Sequence, residues 1–274
     1  MHEFTRTATD WTLGEVPFQA IDLSQIKDQE NLFYLVAAAS FVEIASDLYT
    51  DNLIHYFKGD EEVIAWLESR WRPEEVRHGH VLRAYVNHVW PEFDWQQAYS
   101  AFYAEYSPLC TPDNFEASRS LEMVARCIVE TGTATFYQAL TQQTTEPVLA
   151  GIAARIRADE IGHYKYFYRY FRLYNGKEAP GRLRILGAIK RRLLEARNDD
   201  AECALWHAYL VRQPEAHADK AAFRALRSRL GKQVRRHYPL DMAVKMLLRP
   251  LSLPDAVTRL LQGPLARLTA RFML

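Results

Sequence analysis

Cysteine is scarce in this chain: three residues among 274, Cys110, Cys127 and Cys203, irregularly spaced. That argues against a disulfide-built scaffold and for a reducing, cytoplasmic setting. No solenoid-type repeat and no low-complexity tract interrupts the sequence. The opening residues, Met1-His2-Glu3-Phe4, lack a basic head followed by an apolar run, so no secretory leader is expected. The longest apolar stretch, near Phe33 to Val42, falls far short of the roughly 18 residues needed to span a bilayer. Net charge is missing too, since 34 Lys and Arg balance 34 Asp and Glu.

That balance conceals a division. Residues 1–180 carry 15 basic against 26 acidic side chains, a net of −11, and residues 181–274 carry 19 against 8, a net of +11. With 49% apolar residues the chain can bury a sizeable core, as one large domain or one domain with an appendage.

What is present is a pattern that occurs twice. Glu75-Val76-Arg77-His78 and Glu160-Ile161-Gly162-His163 are both Glu-x-x-His, and each follows a lone Glu about thirty residues upstream, Glu43 and Glu130. With 20 Glu and 9 His in the chain, chance alone supplies about one such pair, so a single copy would mean little. Two copies with matching intervals, 32 residues from Glu43 to Glu75 and 30 from Glu130 to Glu160, mean more. Residues three apart share a helix face, so each motif offers one oxygen and one nitrogen to a metal. Two further helices adding one Glu each complete four carboxylates and two imidazoles, the donor set of a dinuclear centre in a four-helix bundle.

The chain divides accordingly. An extended lead-in is expected over 1–22, a bundle over 23–176 and a basic helical extension over 177–274. Asp22 or Ser24 is expected to cap a first helix running to about Phe57, with Lys58-Gly59-Asp60 as the turn. A second helix runs from near Asp60 to Trp90-Pro91, kinked or restarted at Pro73. The 55 residues between Glu75 and Glu130 leave room for a crossover with a short helix around Trp95–Tyr106. A third helix follows Thr111-Pro112-Asp113 and ends near Gln142. The fourth runs from Glu146-Pro147 to a stop at Asn175-Gly176. Glu43 and Glu130 then fall mid-helix among apolar neighbours, where an unpaired carboxylate would cost several kcal/mol or take up a proton.

Supporting residues can be named by the same reasoning. Metal-bound imidazoles pass their second N–H to a carboxylate or carbonyl. Each motif has an acid just before its Glu, which assigns Asp159 to His78 and Glu74 to His163 across the bundle. Thr133, one turn after Glu130 and flanked by Gly132 and Ala134, offers a hydroxyl and space for dioxygen and a substrate carbon. Cys127 reads as a small core residue, and His80 and His55 fall outside the site. Tyr164, Tyr166, Tyr168 and Tyr170 read as core or interface residues.

The segment Trp71-Arg72-Pro73-Glu74-Glu75-Val76-Arg77-His78-Gly79, with Glu130-x-x-Thr133 and Ala158-Asp159-Glu160-x-x-His163, resembles the soluble acyl-acyl-carrier-protein desaturases of the ferritin-like superfamily. The likeness covers roughly residues 25–175. It implies two irons, bridged by Glu75 and Glu160, with Glu43 and Glu130 terminal and one histidine on each. Pro73 replaces an ordinary helix former of that family, and the basic C-terminal third matches none of its motifs. Aldehyde-deformylating oxygenases are similar in ligand spacing but less so around the second motif.

The expected function is therefore oxygen-dependent oxidation, a desaturation or hydroxylation of an acyl chain or similarly apolar substrate. Its cofactor is two iron ions, with a manganese–iron pair as the alternative. Dioxygen and an electron donor such as a ferredoxin are the expected co-reactants, and a homodimer is the expected assembly. The basic third, including Lys190-Arg191-Arg192, Arg224, Arg227 and Arg229, suits an acidic carrier protein, a membrane surface, or packing against the acidic bundle. Nothing points to nucleic acid. The alternatives are a C–C-cleaving oxygenase and a ferroxidase or iron-handling protein.

Overall fold

The computed structural model describes residues 10–195, 200–216 and 219–273, so residues 1–9 of the expected lead-in lie outside the described residues. The described chain is all-α, with no strand among those residues.

The first helix is not the single rod expected from Asp22 to Phe57. A short α1 (Leu23–Ile26), capped by Asp22, is separated from α2 (Glu30–Tyr56) by a break at residues 27–29. The cause is distant in sequence. Trp90 Nε1 donates to the Lys27 carbonyl at 2.9 Å, and Lys27 Nζ donates to the Val89 carbonyl at 2.9 Å, so the chain is tied down where a straight helix would pass by. Helix α2 itself is apolar on most of its circumference, as a helix enclosed by others must be. Although its unbroken apolar run near Phe33 to Val42 is short, the whole helix is by length and composition apolar enough to cross a membrane, and 67% of its most apolar 18-residue stretch is buried inside the protein.

Gly59, with φ of 90°, turns the chain into α3 (Glu61–Trp66), whose cap is Asp60. A π turn (Leu67–Trp71) then leads directly into α4 (Arg72–Val89). Here the disturbance expected at Pro73 takes the form of a widened turn just before it. Proline has no N–H to give and its ring crowds the carbonyl four residues back, and a π turn accommodates both.

The crossover contains α5 (Trp95–Tyr106), after which α6 (Arg119–Gln143) and α7 (Pro147–Glu178) form a second hairpin. Helix α7 overruns the stop expected at Gly176 and ends at Ala179, a left-handed residue with φ of 44°. The added turn has a partner, because Glu178 Oε2 accepts the Ser120 backbone N–H at the start of α6 at 2.9 Å.

Helices α2 and α4 pack on each other, α6 and α7 likewise, and α4 meets α7 between the hairpins. The buried apolar residues form two clusters, not one. One holds Phe41, Leu82, Tyr137 and Ile152; the other holds Leu53, Trp71, Cys127 and Phe167. On α4, α6 and α7 the boundary between the clusters falls at the glutamates and histidines singled out above, and on α2 it lies between Tyr49 and Leu53, beyond Glu43.

The C-terminal third wraps this core. Helix α8 (Arg182–Glu195) packs on α6, and α9 (Asp200–Arg212) packs on α2 and α5. Helices α10 (Lys220–Arg236) and α11 (Leu240–Leu248) also lie on α6, and α12 (Asp255–Met273) lies on α11. Some of its basic residues pair with the acidic part. Arg191 Nη2 lies 2.5 Å from Glu116, and Arg212 Nη1 lies 2.9 Å from Glu92.

Candidate metal centre

Equal arms set the heights of the side chains. Glu43 and Glu75 each lie sixteen residues from Gly59, and Glu130 and Glu160 each lie fifteen from Thr145 in the second turn. Each hairpin therefore brings its two carboxylates level. A close approach fixes the first pair laterally: a methyl group on Gly79 would sit 2.7 Å from the Ile44 backbone nitrogen and 3.1 Å from the Ser40 carbonyl. Only a residue without a side chain lets α2 and α4 meet this closely, next to His78 on one helix and Glu43 on the other.

The result is two overlapping groups of buried donors. One is Glu43, Glu75, His78 and Glu160; the other is Glu75, Glu130, Glu160 and His163; within each, one ligand atom per residue lies within 4.8 Å of the rest. Glu75 and Glu160 belong to both. These groups could hold metal ions.

Both imidazoles turn Nδ1 inward. His78 Nδ1 lies 3.2 Å from Glu160 Oε1 and 3.5 Å from Glu43 Oε2. His163 Nδ1 lies 3.0 Å from Glu75 Oε1 and 3.5 Å from Glu130 Oε2. The outer nitrogens cross between the hairpins: His78 Nε2 meets Asp159 Oδ2 at 3.0 Å, and His163 Nε2 meets Glu74 Oε2 at 2.8 Å. A hydrogen on Nε2 leaves a lone pair on Nδ1, the form a metal needs. Each outer carboxylate is in turn held by an arginine, Asp159 by Arg77 at 3.0 Å and Glu74 by Arg70 at 2.5 Å.

Further groups contact the centre that the motifs alone did not reveal. The Tyr137 hydroxyl donates to Glu43 Oε1. Trp71 Nε1 donates to Glu130 Oε1 at 3.3 Å, and Trp11 Nε1 donates to Asp159 Oδ2 at 2.9 Å. Thr133, already singled out from the sequence, donates its Oγ1 hydroxyl to Glu160 Oε2 at 2.6 Å and is partly exposed. Cys127 is fully buried and stands in neither group, and His55 and His80 are exposed.

The electrostatics follow from packing so many ionisable groups out of water. Burial, together with the neighbouring Glu160 charge, pushes the Glu75 carboxyl up to about 8. The same two causes hold Glu130 well above the usual carboxylate range. For Glu160 burial acts upward as well, but hydrogen bonds from His163 and His78 outweigh it and hold the carboxyl well below that range. Burial alone would strip the proton from either imidazole. The carboxylates around them, Asp159, Glu160 and Glu43 for His78 and Glu130, Glu160 and Glu74 for His163, keep both well above the ordinary histidine value. The layer is thus a sink for positive charge, whether protons or metal ions.

Compared with protein-family models, with curated proteins and with solved structures, the chain yields no match.

Proposed function

We propose that the chain is an oxygen-dependent diiron oxidoreductase on a ferritin-like four-helix bundle, desaturating or hydroxylating an acyl chain or similarly apolar substrate. The observation that carries this reading is the membership of Glu75 and Glu160 in both donor groups. Two carboxylates common to two sets of oxygen and nitrogen donors suit a pair of ions held side by side. Glu75 Oε1, Glu160 Oε1 and the Nδ1 atoms of His78 and His163 are buried without a well-directed hydrogen bond. Leaving such atoms unsatisfied costs about 1–3 kcal/mol each, and ligation removes that cost. The donors contain no sulfur, which favours iron, or manganese with iron, over thiolate-preferring metals.

When bound, two iron ions would supply the redox chemistry that activates dioxygen against an unactivated C–H bond. In a desaturation, dioxygen takes two electrons from the substrate and two from an external reductant such as a ferredoxin, and leaves as two waters. In a hydroxylation, one oxygen atom enters the substrate and the other, taking two electrons from the same reductant and two protons, leaves as water.

The chain's own residues supply the setting. Glu43, Glu75, His78, Glu130, Glu160 and His163 hold the ions, and Asp159 and Glu74 fix the tautomer of the imidazoles. Tyr137 and Trp71 orient the terminal carboxylates. Thr133, joined to Glu160 and partly open to solvent, can relay a proton to that carboxylate. The apolar clusters on either side exclude water and offer surfaces for a hydrocarbon chain. Arg229, Lys232 and Arg236 line a cleft between α10 and Asn31 of α2, which suits an acidic carrier protein.

The test is elemental analysis of protein from iron-supplemented cells, followed by anaerobic reduction and mixing with oxygen in the presence of acyl substrates. About two irons per chain and oxygen consumption that rises with substrate would support the proposal. Uptake of many irons per chain would point instead to storage, and protein that takes up no iron would refute both.

A further inference from the structure

A second grouping of metal-ligating side chains lies at the contact of α5 with α9 and shares no residue with the carboxylate centre. Cys203 and His207 are four residues apart on α9 and so share a face. That face meets the last turn of α5, which carries Glu105. His207 Nε2 lies 2.8 Å from Glu105 Oε2, and one ligand atom from each of Glu105, Cys203 and His207 lies within 4.8 Å of the other two. His207 is buried, Cys203 half-buried and Glu105 exposed.

A hydrogen bond between Glu105 and His207 accounts for their closeness, but it leaves the sulfur at the same spot without a role. We propose that Glu105, Cys203 and His207 bind a single divalent transition metal of the zinc type. Zinc takes one sulfur, one nitrogen and one oxygen at bonds of about 2.0–2.3 Å, with water completing a tetrahedron. The three donors lie within 4.8 Å of one another, against about 3.3–3.8 Å between ligands of such a tetrahedron, and the exposed Glu105 side chain can move to close the difference. The thiolate separates this site chemically from the sulfur-free centre, so the two would select different metals. Its physical effect would be to clamp the crossover helix α5 to α9 in the basic third, because a ligand that binds only the folded state stabilises it.

Cobalt titration of the full chain, run anaerobically with saturating ferrous iron, tests this. Thiolate bound to cobalt gives a near-ultraviolet charge-transfer band that carboxylates and imidazoles cannot produce. The band is expected to saturate at one cobalt per chain and to disappear when zinc is added. It should be lost in Cys203→Ser, retained in Cys110→Ser and Cys127→Ser, and weakened in Glu105→Gln, an exposed position where folding is not at risk. No band in the unmodified chain, or a band that survives Cys203→Ser, overturns the assignment. Should Cys203→Ser fail to fold, alkylation of the unmodified chain read by mass spectrometry takes its place. Zinc should slow modification at Cys203, and an unchanged rate there refutes the site.

Discussion

Asp159 Oδ2 lies 3.0 Å from His78 Nε2 and also accepts from Trp11 Nε1 at 2.9 Å and from Arg77 at 3.0 Å. One oxygen atom thus ties the lead-in, α4 and α7 to a single imidazole. Replacing Asp159 with Asn keeps the shape but frees the ring to turn and to change tautomer. Losing such a partner typically weakens metal affinity about 10–100-fold, and that is the outcome expected in an anaerobic ferrous titration. Glu74→Gln should act the same way through His163. Unchanged affinity in both would remove these acids from the centre.

Function and stability should pull apart at the carboxylates. In the metal-free chain, Glu130 is a buried acid crowded by Glu160 and Glu75. A carboxyl whose pKa is raised on folding costs stability at neutral pH, because the unfolded chain leaves it ionised while the folded chain must protonate it, and a neutral amide of equal size removes that cost. Glu130→Gln is therefore expected to melt a few degrees higher than the parent in the presence of a chelator, yet to lose binding of two irons. Calorimetry that shows a lower melting temperature would contradict this account of the layer.

Metal loading should release protons. A Glu75 carboxyl at about 8 is mostly protonated at neutral pH, and both imidazoles are held in the charged form. A metal must displace these protons, so affinity rises as pH rises through this range and falls as it drops. Isothermal calorimetry in buffers of different ionisation enthalpy reads the count directly. A heat of binding independent of the buffer would mean that the groups are already deprotonated.

Gly79→Ala tests the approach of α2 to α4. The added methyl has no room against Ile44 and Ser40, and overpacking of this kind costs about 1–3 kcal/mol. Because α2 must move away, Glu43 separates from His78, and the metal position they share should weaken more than the one held by Glu130 and His163. Two binding phases where the parent shows one would reveal it, whereas equal weakening would argue for a general loss of stability.

The convergence of Glu43, Glu75, Glu130 and Glu160 could be read in the sequence because a hairpin with equal arms needs only the ligand interval and the position of the turn. Lys58-Gly59-Asp60 supplied the turn and Glu-x-x-His the face. The break at residues 27–29 could not be read, since its cause is Trp90, far along the chain. The overrun of α7 past Gly176 was hidden for a similar reason, because its partner is Ser120. Tyr137 left a trace: it follows Glu130 by seven residues, two turns along the same face, but its acceptor Glu43 is on another helix. Trp11 left none, as it lies in a non-helical segment where no periodicity marks a buried side. The grouping of Glu105 with Cys203 and His207 depends on how the crossover meets the C-terminal third, which no local pattern encodes.

The wide turn at Leu67–Trp71 also acts as an angular dial. An α-helix advances about 100° per residue, and a π turn takes in one residue more than an α turn before the chain resumes its course. Glu75 and His78 are therefore turned about one residue's worth away from where an unbroken helix from Val63 would aim them. Val63 and Trp66, before the turn, and His78, after it, are all buried. A one-residue deletion at Ser69 that restored a regular helix could satisfy the apolar face of α3 or the polar face of α4, but not both. The extra residue lets a single length of chain address the hydrocarbon-like interior and the charged layer from the same side.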